Sequence, residues 1–309
     1  ISLSDLKAKL HEIHQLLVSD YHRMFAKEVD SLINKVNTFG YHFASLDIRQ
    51  DSRVHHEAFM TLLKGAQKQG VVSKKVDYLQ LDESEKIDFL TTLKGDLLPE
   101  KFSDDLVNKT LGSIRAIQKI QSQNGELGCH RYIISNNQTA QNIFEVFAMI
   151  RLSDWEAPNV DIVPLFETIP DLEVAVSVMD KVYANPVYRE HLTRRGDKQT
   201  IMLGFSDGTK DGGYLMANWS IFKAKEELTA ISRKYGINVA FFDGRGGPPA
   251  RGGGNTHQFY ASMGNSVEAD EIQLTVQGQT ISSNFGTLDT CRYNLEQLLS
   301  SGISNRLFT

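Results

Sequence analysis

Short apolar runs recurring at a near-constant interval constrain this chain more than any other feature. Five of them, centred near residues 133, 163, 203, 240 and 274, lie about 30 to 40 residues apart, with helical periodicity across most of the intervals. Parallel strands need a crossover of a dozen or more residues, and a helix supplies it, so this alternation predicts parallel βα units. Two architectures satisfy the pattern: an open doubly wound sheet and a (β/α)8 barrel. Polar residues at the strand ends decide between them. Arg49, Glu167, Asp207 with Lys210, and Arg245 each stand at the end of a strand-like run. A barrel gathers such positions on one face, whereas an open sheet strings them along an edge. The expectation is an α/β, helix-rich chain forming a partial (β/α)8 TIM-type barrel with additional helices.

The intervals read as follows. Leu3, Leu6, Leu10, Ile13 and Leu17, then Val29, Leu32, Ile33 and Val36, have helical spacing and predict two packing helices. His11 and His14 lie three apart on the first without a third ligand in view, so they are set aside as a metal site. Tyr41 to Ile48 reads as a strand running into Arg49. Residues 52–125 read as a helical insertion, with Gly65 and Gly95 as helix stops. Arg131–Ser135, Val160–Phe166, Thr200–Phe205, Val239–Phe242 and Ile272–Val276 read as strands, and Met216–Tyr235 as a long helix. One incomplete barrel domain over residues 1–309 is expected, and no internal repeat stands out.

After Phe242 the chain runs Asp243-Gly244-Arg245-Gly246-Gly247-Pro248-Pro249-Ala250-Arg251-Gly252-Gly253-Gly254. Six glycines cost about 0.5–1 kcal/mol each relative to alanine in ordered structure, more than a turn requires. Backbone that must approach a ligand closely tolerates that cost, since unhindered N–H groups can cradle an anion and two guanidiniums can fork onto its oxygens. A mobile anion-binding loop is expected here. It matches neither the P-loop nor the dinucleotide fingerprint.

A net charge of −5 gives no electrostatic reason to expect nucleic acid or an anionic membrane as partner. No apolar run reaches the 18 or so residues of a membrane span, and no signal-peptide pattern opens the chain. Cys129 and Cys291 have neither disulfide-framework nor zinc spacing, which suits a reducing, cytoplasmic setting.

Glu167 and Asp207 are two carboxylates of the kind that hold Mg²⁺, which takes one or two acids and completes its octahedron with waters and substrate oxygens. Each also reads as a helix N-cap or first-turn acid. Arg49 reads equally as a ligand or as an ion-pair partner of Asp47 or Asp51. Arg49, Lys210, Arg245 and Arg251 exceed what two acids need, which points to an anionic, phosphorylated substrate.

Leu46-Asp47-Ile48-Arg49-Gln50, Tyr132-Ile133-Ile134-Ser135, Pro164-Leu165-Phe166-Glu167-Thr168, Gly204-Phe205-Ser206-Asp207, Lys210-Asp211-Gly212-Gly213 and the arginine-glycine loop resemble phosphoenolpyruvate carboxylase in family order over nearly the whole chain. The resemblance implies a catalytic (β/α)8 barrel that carboxylates phosphoenolpyruvate with bicarbonate to oxaloacetate and phosphate, through carboxyphosphate and pyruvate enolate, with Mg²⁺ or Mn²⁺. By the same resemblance Glu167 and Asp207 are the metal ligands, and Arg49 and Arg245 hold the phosphate with Gly246 and Gly247. Lys210 lies near phosphate or bicarbonate, and Arg251 steadies carboxyphosphate and belongs to an aspartate/malate inhibitor site. A cytoplasmic homotetramer is implied for the full-length protein. This chain corresponds to about a third of such an enzyme, six of eight barrel strands, so little turnover is expected from it alone.

The chain departs from the family in two places. Asp243 stands where histidine is usual, which removes a donor and adds negative charge beside an anionic substrate. Val276-Gln277-Gly278-Gln279 replaces a more acidic stretch. Two further readings accommodate the same residues: a phosphoenolpyruvate-using phosphotransferase, and a non-catalytic, phosphoenolpyruvate-binding regulatory relative.

Overall fold

The computed structural model describes residues 1–70, 72, 76–97, 102–247 and 252–307. Six strands form one sheet in sequence order: β1 (Asp47–Asp51), β2 (Arg131–Ser135), β3 (Asp161–Phe166), β4 (Lys198–Gly204), β5 (Asn238–Gly246) and β6 (Ile272–Val276). β3 to β6 pair in parallel, with Leu165 opposite Met202, Ile201 opposite Phe241 and Phe241 opposite Ile272. In a doubly wound sheet the order reverses at a switch point. Here each strand neighbours its successor without reversal, which is a partial (β/α) barrel.

The helices are α1 (Leu3–Ser19), α2 (Ala26–Phe39), α3 (Ser52–Lys68), α4 (Glu83–Thr92), α5 (Asp105–Asn124), α6 (Ala140–Arg151), α7 (Ile169–Ala184), α8 (Pro186–Arg194), α9 (Ser206–Lys234), α10 (Thr256–Ala261), α11 (Gly278–Phe285) and α12 (Leu288–Leu307). Contacts divide the chain into two compact units, Ile1–Ile48 with Gly112–Arg131, and Arg49–Leu111 with Tyr132–Thr309.

In the first unit, Ser2 and Asp5 close a capping box that starts α1, and His14 Nε2 lies 3.0 Å from Asp30 Oδ1 of α2. The expected strand over Tyr41–Leu46 is absent. Phe43 sits at φ 62°, and Leu46 N–H donates to Gly128 O at 3.0 Å, so an apolar but turning segment leads to β1. Left-handed backbone at Phe43 breaks the extended run that side-chain character alone suggested.

In the second unit, alternation along the strands sorts two faces. Ile133, Val163, Leu165 and Met202 cluster on one, and Phe242 packs against them. The neighbouring positions Tyr132, Ile134, Ile201, Leu203 and Phe241 are equally buried. Gly65 lies inside α3 rather than ending it: a Cβ there would stand 2.4 Å from a Phe102 ring carbon, so the glycine admits that ring. α9 begins ten residues earlier than its apolar pattern suggests, at Ser206, because Gly213 (φ 76°, ψ 173°) kinks it and its first turns are rich in glycine.

Candidate active site

Arg49 lies within β1, and its Nη2 donates to Glu167 Oε1 at 3.0 Å. It passes over both sequence neighbours. Asp47 takes Arg131 at 2.7 Å, and Asp51 takes Arg53 at 2.9 and 2.8 Å. The ion pair is therefore neither of the two expected alternatives. It joins two of the residues singled out from sequence.

Glu167 follows β3 directly and is not a helix cap. Thr168 is the N-cap of α7: its hydroxyl accepts from Asp171 N–H at 3.3 Å, and the Asp171 carboxylate accepts from Thr168 N–H at 3.0 Å. Asp171 also accepts from Glu167 N–H at 3.3 Å. With capping done by those two, the Glu167 carboxylate faces outward to Arg49 and to Asn136, whose N–H donates to Oε2 at 2.9 Å. Asn136 reaches it from φ 54°, a conformation asparagine tolerates better than most residues. Sequence reasoning stopped one residue short of Asn136; an asparagine just past a strand was the available signal.

β4 brings the next pair alongside. Gly208 N–H donates to Glu167 O at 3.2 Å, which docks the first turn of α9 on the end of β3. In that turn Lys210 Nζ donates to Asp207 Oδ1 at 2.7 Å. The first-turn reading holds for Asp207, and a carboxylate there is also favoured by the helix dipole. Both members are largely exposed, so the pair contributes at most about 1 kcal/mol to stability. Its value is as charge held at a strand end.

Glu167 and Asp207 fit a hard divalent cation. Both donate carboxylate oxygen, both keep solvent access, and cationic side chains already sit against them. Among the described residues no cluster of three or more His, Cys, Asp or Glu is placed to hold a metal.

Arg245 has its own set of partners. Phe241, Asp243 and Arg245 alternate along β5 opposite to Phe242, and α9 and α10 cover their side. Arg245 is 4% exposed, donates to the carbonyls of Gly253, Gly254 and Asn255 at 3.4 to 3.5 Å, and lies 4.2 Å from the centre of the Phe259 ring. Among the described residues no hydrogen bond or ion pair joins it to Arg49, Glu167, Asp207 or Lys210. It borders a groove of about 580 Å³ with Tyr214, Trp219, Asn255 and Phe259.

Two of the glycines around it are required by backbone packing. Gly246 belongs to β5, opposite Val276, and a Cβ on it would stand 1.6 Å from Thr275 O. A Cβ on Gly253 would stand 1.6 Å from Gly247 O. Gly247 closes a tight turn, its N–H donating to Arg245 O at 2.9 Å. Arg251 lies outside the described residues.

Asp243 does not add an unmatched charge. Lys225 of α9 donates to its Oδ2 at 2.7 Å, with both side chains almost wholly buried, and Tyr260 O–H donates to the same oxygen at 2.7 Å. Burial lowers the Lys225 pKa, partly offset by Asp243, while burial and then the carboxylate raise Tyr260 well above the usual tyrosine range and keep it a donor. The charge at Asp243 is therefore balanced inside the protein through Oδ2, while Oδ1 is buried without a hydrogen-bond partner.

Compared with families of known proteins, the chain matches one over its whole length, residues 1–309: the family described as Phosphoenolpyruvate carboxylase.

Proposed function

We infer the activity from the family to which this chain belongs, the phosphoenolpyruvate carboxylases: carboxylation of phosphoenolpyruvate by bicarbonate to oxaloacetate and phosphate, with a divalent metal. The observation that carries the reading is the alternation of charge at the ends of β1, β3 and β4, Arg49 on Glu167 at 3.0 Å and Lys210 on Asp207 at 2.7 Å, linked by the Gly208–Glu167 hydrogen bond. Two acids interleaved with two bases suit a substrate that carries phosphate and carboxylate and reacts beside a cation.

Glu167 and Asp207 would hold Mg²⁺ or Mn²⁺, which when bound supplies positive charge where phosphoryl and enolate oxygens gather negative charge. Once those carboxylates turn to a cation, Arg49 and Lys210 lose their acidic partners and are free to take phosphate or bicarbonate oxygens. Little covalent work falls to the protein in phosphoryl transfer, so positioning and charge are the main contributions of its side chains. Asn136 keeps one Glu167 oxygen fixed through its backbone N–H. Arg245, Gly246 and Gly247 would bind phosphate from the β5 side. That role requires the arginine to exchange its long carbonyl contacts for substrate oxygens.

The test is oxaloacetate formation by the intact protein from phosphoenolpyruvate, with bicarbonate and Mg²⁺ each supplied or withheld. Turnover should need all three, and Arg49→Ala and Arg245→Ala should each lower kcat/KM by 100-fold or more, as loss of a charged transition-state contact does. Turnover that needs a nucleoside diphosphate in place of bicarbonate, or phosphoenolpyruvate binding with none, would overturn the reading.

A further inference from the structure

Asp243, Lys225 and Tyr260 come from three elements, β5, α9 and α10, and meet in a fully enclosed knot. Lys225 Nζ and Tyr260 O–H both reach Asp243 Oδ2 at 2.7 Å. The ammonium also lies 5.2 Å from the ring centres of Phe241 and Phe259 and 5.6 Å from that of Tyr260. Phe259 therefore carries two cations, Lys225 at 5.2 Å and Arg245 at 4.2 Å. Phe205 meets the same ring edge-to-face at 5.7 Å.

α10 is only six residues long, and its own backbone bonds cannot fix its place. Yet it determines the surroundings of Arg245 twice over. Phe259 of α10 is the ring on which the guanidinium rests, and Gly253, Gly254 and Asn255, which lead into α10, supply the carbonyls it donates to. Asn255 starts the helix by accepting from Gln258 N–H at 3.0 Å. Tyr260 on Asp243, two residues before Arg245 in the same strand, ties this short segment to β5, in addition to its packing on α12.

We propose that Lys225, Asp243 and Tyr260 form a positioning unit for Arg245, fixing α10 so that Phe259 and the 253–255 carbonyls hold the guanidinium at its station for the substrate phosphate. The unit touches no substrate and acts only through Arg245. The inference rests on the carboxylase reading, and it gives Asp243 a part in the reaction although its carboxylate is engaged by Lys225 and Tyr260. The buried ion pair is the means: a lone charge left in that enclosure is strongly disfavoured, so the two partners must stay together and α9, β5 and α10 with them.

The test is steady-state carboxylation by the intact protein. Tyr260→Phe keeps the ring and removes the hydrogen bond. It should raise the KM for phosphoenolpyruvate about 3- to 10-fold and leave the KM for bicarbonate within 2-fold. In an Arg245→Lys background the same change should move the phosphoenolpyruvate KM by less than 2-fold, because the residue it positions is already gone. Single removal of Asp243 or Lys225 exposes the other and is a poor probe of function. The paired Asp243→Leu, Lys225→Met variant, made together with Tyr260→Phe so that the buried hydroxyl does not lose its acceptor, avoids that and should retain a Tm close to the parent's, while still showing the raised KM.

Kinetic constants unchanged in both Tyr260→Phe and the paired variant would overturn the inference and leave the knot purely structural. So would equal effects of Tyr260→Phe with and without Arg245. An unmutated protein that forms no oxaloacetate would instead remove the reading beneath it, so the two failures are told apart.

Discussion

At the scale of single residues, identity is set by what each neighbour leaves available. Glu167 is free to face Arg49 because Thr168 and Asp171 close the helix cap between them. Gly246 is glycine because the β6 backbone lies where its Cβ would be. Gly246→Ala should therefore lower stability by about 1–3 kcal/mol, the usual cost of forcing atoms into filled space, since a carbonyl in a paired strand cannot swing aside as a side-chain tip can. Gly278→Ala, at the exposed start of α11 with nothing near its Cβ position, should be neutral or stabilising by up to about 1 kcal/mol. Denaturant midpoints of the two variants measure the contrast, and equal midpoints would refute it. The chemistry of Arg49, Glu167, Asp207 and Lys210 was legible because polar side chains at the ends of apolar runs stand out. The partnerships were not: Arg49 could have taken Asp47 or Asp51, and only the claims of Arg131 and Arg53 on those acids sent it to Glu167. Lys225 was invisible for a related reason. A lysine on a long amphipathic helix reads as solvated until a buried acid is found opposite it.

At the scale of elements, periodicity located β2 and β6 to the residue and misread the segments where glycine or a left-handed residue intervenes. Phe43 turned an apolar run away from strand, and three glycines in the first two turns hid the start of α9. That start is a separate short helix in all but hydrogen bonding, hinged at Gly213, and it carries both Asp207 and Lys210. The φ and ψ of Gly213 lie where a side chain is strongly disfavoured. Gly213→Ala should cost about 1–3 kcal/mol, and because the strain falls on the segment bearing Asp207, the Mg²⁺ concentration for half-maximal carboxylation should rise several-fold. A variant that loses stability but keeps its Mg²⁺ dependence would show that the hinge does not set the site. Glycine-rich helix starts escape sequence reading because propensity argues against helix while docking, here Gly208 on the Glu167 carbonyl, decides for it.

At the scale of the whole molecule, the sheet was predictable because strand spacing and strand-end polarity are global properties that no single turn can mask. Its response to pH is a global property too, and it sums groups of opposite sign. His55, against Tyr132 at 3.0 Å, and His191, among Phe147 and Tyr188, are buried, and desolvation lowers them to about 4 and about 3. In the unfolded chain both return to about 6.5. Between pH 6.5 and 4 the unfolded state therefore binds more protons, and stability falls as pH falls. His56 is raised by its hydrogen bond to buried Glu145. Its contribution is fully present below 6.5 and is lost as pH rises through its folded value, so it does not deepen the acid loss. Two histidines against one make the acid side the weaker. Each of the two costs about 1.4 kcal/mol per pH unit below 6.5. His191→Met, which fills the space without a titrating group, should therefore shrink the difference in unfolding free energy between pH 7 and pH 5 by about 2 kcal/mol, whatever it does to stability at pH 7. Urea unfolding at the two pH values measures that difference, and a loss as large in the variant as in the parent would mean that His191 is not held neutral in the fold.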